Sequence, residues 1–324
     1  MPLSQKHLYL FGPVHSRRLG LSLGIDVVPM KTCTYSCIFC QLGRTMRQTI
    51  TRKEYVPAVE VINELTNYLE HGGEADYLSF SGSGEPTLHN QLGKMIEQAK
   101  RISTIPVAVL TCGALLFDSQ VRTELAQADA VLPSLNAISP ETFRAINRPH
   151  GKLPIAWIIE GLKKFRQEYT GQLWVEIMLV KGVNDQPEEI AALRQTIAEI
   201  KPDKVHLNTV VRPPTEPGAL PLTNAELTAV AAQLGPPAEV IASSLAISKP
   251  PAEPRLLSEV VNLLARHPAT LEQIADYLRG QPEKIQQALE SLVATGKVRT
   301  RKHEGKQYYS TASEMRASNN HLLA

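Results

Sequence analysis

The sequence predicts an α/β fold: a partial (β/α)6 barrel of the TIM type, followed by a small α+β winged helix-turn-helix unit. Three observations carry this expectation. Six β-like runs alternate with amphipathic helical segments between residue 21 and about residue 211. The runs are rich in Val, Ile and Leu and mostly lack strict alternation, as strands covered on both faces do. Beyond a Pro-rich stretch the pattern changes to three short helices and a hairpin.

The β-like runs are LSLGIDVV (21–28), YLSF (77–80), VAVLT (107–111), AVLPSL (130–135), LWVEIMLV (173–180) and KVHLNTVV (204–211). In the helical segment 58–70, Val61, Ile62, Leu65 and Leu69 form one apolar stripe after Pro57, a residue suited to a helix start. NQLGKMIEQAKRI, DSQVRTELAQ, AWIIEGLKKFRQEY and QPEEIAALRQTIAEI behave similarly. Right-handed crossovers between such units curl a sheet toward a barrel, although a flat doubly wound sheet satisfies the same pattern. Prolines then gather in 212–223, 235–237 and 249–254 around one more helix and a short strand at AEVIAS. They read as connectors, because proline removes backbone donors and restricts its predecessor. After Pro254 come LLSEVVNLLAR, TLEQIADYLR and EKIQQALESLVATG, then a hairpin turning at Glu304 and Gly305. Thr270 and Gln273 have the spacing of a capping box. The expected organisation is a core over 1–222, a helix and connector over 223–253, the winged helix over 254–316 and a tail over 317–324.

Composition narrows the function classes. The 324 residues are 43% hydrophobic and 20% charged, an ordinary globular balance. Lys and Arg total 34 against 32 Asp and Glu, too even for net charge to name a polyanionic partner. No apolar run approaches the ~20 residues of a membrane span, and the N-terminus lacks a secretory pattern. A cytoplasmic location is therefore expected. Three of the four cysteines fall between 33 and 40, which argues for a metal or redox site rather than disulfides.

Those three lie in KTCTYSCIFCQLGRT, as Cys33, Cys37 and Cys40. Three thiolates on one short loop can hold three corners of a cubane iron–sulfur cluster and leave the fourth iron open. Zinc is the competing reading, but structural zinc takes four protein ligands, usually as two separated pairs.

The spacing, with Phe39 just before the third cysteine, resembles the radical S-adenosylmethionine (SAM) superfamily. The longer string GPVHSRRLGLSLGIDVVPMKTCTYSCIFCQLGRT resembles a subfamily related to wybutosine-type tRNA synthases, labelled iron–sulfur oxidoreductases. The resemblance covers roughly residues 10–220. It implies a [4Fe-4S] cluster on Cys33, Cys37 and Cys40, with SAM chelating the open iron and an electron donor such as a flavodoxin or ferredoxin. The implied reaction is reductive cleavage of SAM to a 5′-deoxyadenosyl radical that abstracts hydrogen from a substrate. SGSGEP, after the second strand, resembles the superfamily's Gly–Gly–Glu element, so Gly82, Gly84 and Glu85 are expected to meet SAM. Ser134 and Asn136 on the fourth strand are expected at its ribose and carboxylate, although relatives often carry Asp at the position of Asn136. Leu207 and Asn208 on the last strand are expected near adenine, chiefly through backbone.

Other residues keep two readings at this stage. Cys112 is either a small buried hydrophobe or a substrate-facing thiol. Glu176 either lines the barrel or closes a salt bridge, and His206 and Arg212 are further polar candidates. His15, Arg17 and Arg18 either grip a carboxylate or phosphate or form a solvated turn, and Arg144 and Arg148 share that ambiguity. One spare cysteine cannot hold the second cluster of the wybutosine-type enzymes, which disfavours their tRNA reaction. In the tail, Lys297, Arg299, Arg301, Lys302 and Lys306 face only Glu304 in charge, so a nucleic acid, a peptide or protein, or the barrel itself could be the partner. The alternative to an enzyme is a non-catalytic iron–sulfur regulator that binds DNA through the winged helix.

Overall fold

The computed structural model describes residues 8–241, 256–265, 268–278 and 280–311. The connector at 249–254 and the tail at 317–324 lie outside the described residues. In chain order the strands are β1 (Leu10–Ser16), β2 (Gly20–Ile25), β3 (Thr32–Cys33), β4 (Arg47–Gln48), β5 (Tyr77–Phe80) and β6 (Val107–Thr111). They continue with β7 (Ala130–Pro133), β8 (Gln172–Leu179), β9 (Lys204–Thr209), β10 (Ala238–Val240), β11 (Val298–His303) and β12 (Lys306–Thr311). The helices are α1 (Ala58–Glu70), α2 (Leu92–Ile102), α3 (Ser119–Leu125), α4 (Pro140–Asn147) and α5 (Ile155–Glu168). After them come α6 (Pro187–Ile200), α7 (Asn224–Leu234), α8 (Leu256–Leu264), α9 (Leu271–Leu278) and α10 (Pro282–Ala294).

One eight-stranded sheet runs β1-β2-β5-β6-β7-β8-β9-β10. All neighbours from β2 to β10 pair in parallel, and only β1 is antiparallel. All six predicted strands are present, so the chain has an α/β fold with a largely parallel sheet. β1 escaped the sequence reading because Gly12 and Pro13 interrupt it. An edge strand tolerates proline, and the β1–β2 register shifts between Phe11 and Val14 to absorb it. Helix α4 was hidden in a segment read for its polar strand-end residues. Its start is nonetheless encoded: Ser139 caps the Thr142 N–H and Pro140 follows.

The sheet is curled rather than flat. β2 and β9 are five strand spacings apart, about 24 Å in a flat sheet, farther than any side chain reaches. Yet Arg17, in the β1–β2 turn, donates to Asn208 Oδ1 on β9 at 3.3 Å, and Arg18 pairs with Glu176 on β8. On the concave side Leu19, Ala108, Ala130, Leu132 and Trp174 form a small apolar cluster of their own. The main core lies between the convex face and the surrounding helices, with Leu65, Phe80, Ile96, Phe165 and Leu193 fully buried. Strand alternation carries Glu176 and Met178 to the same face as Trp174, and Ser134 and Asn208 pair beside them.

Helices α8, α9 and α10 with the β11–β12 hairpin bury a separate core that includes Val260, Ile274, Ile285 and Leu289. The capping box is formed: Gln273 N donates to Thr270 Oγ1, and Thr270 N to Gln273 Oε1, at 3.3 and 3.1 Å. Glu304 and Gly305 both have positive φ and make the two-residue hairpin turn. The unit docks on the edge of the sheet: Val14 of β1 packs on its core, and Tyr308 Oη donates to the Val211 carbonyl at 2.8 Å. No helix among the described residues is long and apolar enough to cross a membrane.

Helix α5 approaches the 116–117 backbone so closely that a Cβ at Gly161 would lie 2.5 Å from it. Alanine is worth about 1 kcal/mol more than glycine in a helix interior, but displacing two backbones costs about 1–3 kcal/mol. Gly161→Ala is therefore expected to lower the melting temperature; a rise in the melting temperature would contradict this packing.

Candidate iron–sulfur and cofactor site

The loop that leaves β2 is held from below, from one side and by its own backbone. Below it, Lys31 N donates to the Ser83 carbonyl at 2.7 Å and Glu85 N to the Thr32 carbonyl at 3.1 Å. Gly84 is required there, because a Cβ would sit 1.9 Å from the Thr32 oxygen. Gly82 turns at φ +128 against the Asp26 carboxylate. To one side, Ser36 N and Ile38 N donate to the Asn147 and Ile146 carbonyls of α4, at 3.1 and 3.0 Å. The loop also pairs with itself, Cys40 N donating to the Cys37 carbonyl at 3.2 Å. The Tyr35 ring meets Phe143 edge-on at 5.4 Å.

This bracing gathers Cys33, Cys37 and Cys40 around one buried ammonium. Lys31 Nζ donates to Cys40 Sγ at 3.1 Å, and Lys31 is only 5% exposed. Burial alone would push its pKa down, but the charges of Cys40, Cys33 and Cys37 outweigh that and hold it above the ordinary value. Asn147 Nδ2 donates to Cys37 Sγ at 3.3 Å. Burial pushes the Cys37 thiol up, and its neighbours Cys33 and Cys40 push the same way. Cys33 is lowered, chiefly by the hydrogen bond from Cys112.

The residues fit an anionic iron–sulfur cluster. Three soft thiols lie beside a buried cation for which sulfur is the hydrogen-bond acceptor, a donor set that calls for thiolates and iron. Among the described residues no three His, Cys, Asp or Glu side chains converge tightly enough to grip a single ion; in a cubane each thiolate takes a different iron. Lys31 and Asn147 were not singled out from sequence. Nothing in the spacing marks Asn147, more than a hundred residues away, whereas Lys31, two positions before Cys33, offered a local signal.

The remaining expected contacts fall around this loop in different ways. The Glu85 carboxylate is engaged within the chain. Its Oε1 accepts from Thr87 N, Thr87 Oγ1 and Thr111 Oγ1 at 3.0, 2.6 and 2.6 Å, and its Oε2 from Cys112 N at 2.7 Å. It caps the turn at Pro86–Leu88 and ties the end of β5 to that of β6. Asn136 likewise joins β7 to β8, its Oδ1 accepting from Met178 N at 2.8 Å. Leu207 is fully buried in the main core, and its carbonyl accepts from Ile241 N. Ser134 is half-buried beside Glu176, and Phe39 packs half-buried on the main core. Asn208 joins the concave-face network, donating to Glu176 Oε1 at 3.2 Å.

Cys112 reaches the cysteine loop from the end of β6, its Sγ 2.9 Å from Thr34 Oγ1. Burial raises its thiol well above the usual range. Arg17, Arg18 and Arg212 turn inward, whereas Arg144 is an exposed partner of Glu141 and Arg148 pairs with Glu216. His206 is buried against the Trp174 ring, and burial lowers its pKa. The side chain of His15 lies outside the described residues.

Two outcomes check this assignment. Lys31→Met removes a cation beside the thiolates, so the reconstituted cluster's midpoint potential is expected to fall by on the order of 100 mV in an EPR-monitored titration; an unchanged potential would place the ammonium elsewhere. Cys112→Ala is expected to retain wild-type iron and sulfide content.

Comparison with known proteins agrees with the geometry. Over 218 residues the chain is 41% identical to a protein named GTPase Obg from Brachyspira hyodysenteriae, covering 67% of this chain and 32% of that one. A UPF0026 protein of Methanocaldococcus jannaschii is 37% identical over 208 residues, 64% of each chain. The chain thus spans less than two thirds of the length of these two relatives. The crystal structure of a radical SAM methyltransferase from Sphaerobacter thermophilus shares the fold, with a TM-score of 0.52 at 20% identity over 68% of this chain and 65% of that one. The Radical SAM superfamily profile matches residues 27–194, from just past β2 through the cysteine loop and the glycine-rich turn into α6, and the chain belongs to that superfamily.

Proposed function

We propose that the chain is a radical SAM enzyme acting on a substrate held against the concave face of the sheet. The observation that carries this reading is the convergence of Cys33, Cys37 and Cys40 on the buried Lys31 at the C-terminal ends of parallel strands, where ligands of such sheets bind. When bound, the [4Fe-4S] cluster and SAM supply one-electron cleavage of the sulfonium and, through the 5′-deoxyadenosyl radical, hydrogen abstraction.

The protein's part is to bind, orient and exclude water. Cys33, Cys37 and Cys40 would hold three irons, with Lys31 balancing their charge and Asn147 orienting the Cys37 sulfur. The turn at Gly82–Glu85 offers backbone close to the loop, which glycine alone permits at Gly84. The Glu85 carboxylate ties the end of β5 to that of β6, and with the nearby backbone it is the proposed contact to the SAM ammonium. The electron enters from a small carrier such as a flavodoxin or ferredoxin.

The curled sheet is read as a partial (β/α)6 barrel and the C-terminal unit as a winged helix; the bond from Arg17 to Asn208 and the three-helix-plus-hairpin order support these readings. The resemblance of the N-terminal string to wybutosine-related enzymes belongs to the same proposal. The C-terminal unit closes the open side of the barrel, as its bonds to Val211, Arg212 and Pro214 suggest. The basic hairpin keeps Arg299, Lys302 and Lys306 exposed, Arg299 and Lys306 on one face and Lys302 on the other, where a peptide or nucleic-acid partner would meet it.

Anaerobically reconstituted chain with dithionite and SAM is expected to release 5′-deoxyadenosine, and Cys37→Ala is expected to release none. Equal release from both, measured by chromatography, would refute the assignment.

A further inference from the structure

Three guanidinium groups meet on the concave side of the sheet, and the reaction proposed above uses none of them. Arg17 and Arg18 come from the β1–β2 turn, and Arg212 from the segment after β9. Arg18 pairs with Glu176. Arg17 Nη1 donates only to neutral oxygens, Asn208 Oδ1 at 3.3 Å and the Ile241 carbonyl at 3.2 Å. Arg212 also meets neutral acceptors, Gln41 Oε1 at 3.0 Å and Tyr277 Oη at 2.7 Å. Its Nε is buried with no partner.

The three charges feel one another. Arg17 is lowered to about 10, first by burial and then by Arg212 and Arg18. Like charges brought together out of water cost free energy unless an anion joins them. Among the described residues Glu176 is the carboxylate hydrogen-bonded within this group, so three cations against one anion leave two positive charges. A phosphate monoester carries two negative charges and three acceptor oxygens, and the planar fork of arginine matches them in pairs.

The position is as informative as the charge. Gln41, which Arg212 holds, follows Cys40 directly, so an anion gripped here sets the rest of its molecule beside the cysteine loop. Tyr277 reaches the same arginine from the C-terminal unit and covers the site from outside.

We propose that Arg17, Arg18 and Arg212 form a binding site for a phosphate monoester carried by the substrate. That the anion belongs to the substrate rests on the radical SAM reading; the anion site itself does not. A monocarboxylate would satisfy half the charge, and a phosphodiester offers one negative charge where two are matched.

The test is equilibrium binding to the anaerobically reconstituted full chain without reductant, so that it is read apart from turnover. Inorganic phosphate and phenyl phosphate are expected to bind at least about tenfold more tightly than dimethyl phosphate or acetate. Arg17→Gln and Arg212→Gln are each expected to weaken phosphate by about tenfold or more, and Arg101→Gln, on the exposed face of α2, to leave it unchanged. In the unmutated protein, phosphate is expected to shield Arg17 and Arg212 from phenylglyoxal, mapped by mass spectrometry, a reading that survives if a variant fails to fold. Equal binding of dimethyl phosphate, absence of shielding, or displacement of phosphate by SAM would overturn the proposal, the last by assigning the arginines to the cofactor's carboxylate. Phosphate bound through these arginines in a chain that releases no 5′-deoxyadenosine leaves the anion site standing and removes the reaction. Release without shielding does the reverse.

Discussion

Bringing the first turn of the sheet against its seventh strand is the constraint from which the rest of the molecule follows. It is made by the Arg18–Glu176 pair and by Asn208, which joins Glu176 to Arg17. Burial disfavours the Glu176 carboxylate, yet Arg18, Asn208 and Arg17 together hold its pKa below the ordinary range. A buried pair of this kind adds little net stability against an apolar replacement, but losing one member strands a charge and costs about 3–5 kcal/mol. Its value is geometric. A flat sheet would leave the cysteine loop at one side and the end of β9 at the other; the curled one sets them at a common mouth.

What the sequence revealed follows from what is local. Six of the parallel strands were visible because they form short runs rich in Val, Ile and Leu without strict alternation. β1 is an edge strand carrying Gly12 and Pro13, whose pairing depends on a partner rather than on its own composition. The cysteines were legible because three thiols within eight positions have few other uses. Lys31 and Asn147 are not marked by residue type, since lysine and asparagine are ordinarily solvated. Only the folded loop shows that their donors end on sulfur.

Glu85 and Asn136 illustrate the opposite case. Motif position places both at a cofactor, and the fold places both at the right end of the sheet. Their side-chain oxygens, however, accept from Thr87, Thr111, Cys112 and Met178, donors of their own chain. A buried carboxylate must be satisfied by something, and here it is satisfied by joining the ends of adjacent strands. These bonds fix the ends of adjacent strands beside the loop, and Gly84 lets the turn approach it closely.

The near balance of 34 basic and 32 acidic residues conceals a local gathering of positive charge. Most ion pairs lie at or near the surface, as Arg44–Glu216 and Lys100–Asp129 do, where water screens them. Buried charges of both signs occur, Asp26, Glu85 and Glu189 as well as Lys31 and Arg122, but the positive ones gather in one region: Lys31 under the thiols, and Arg17, Arg18 and Arg212 near Glu176 on the concave face. Charges withdrawn from water in this way act far more strongly than the same charges in solvent. Arg212 gives this interior its connection to the rest of the chain. One side chain binds Gln41 of the cysteine loop and Tyr277 of the C-terminal unit, so Arg212 couples that loop, the segment after β9 and the C-terminal unit.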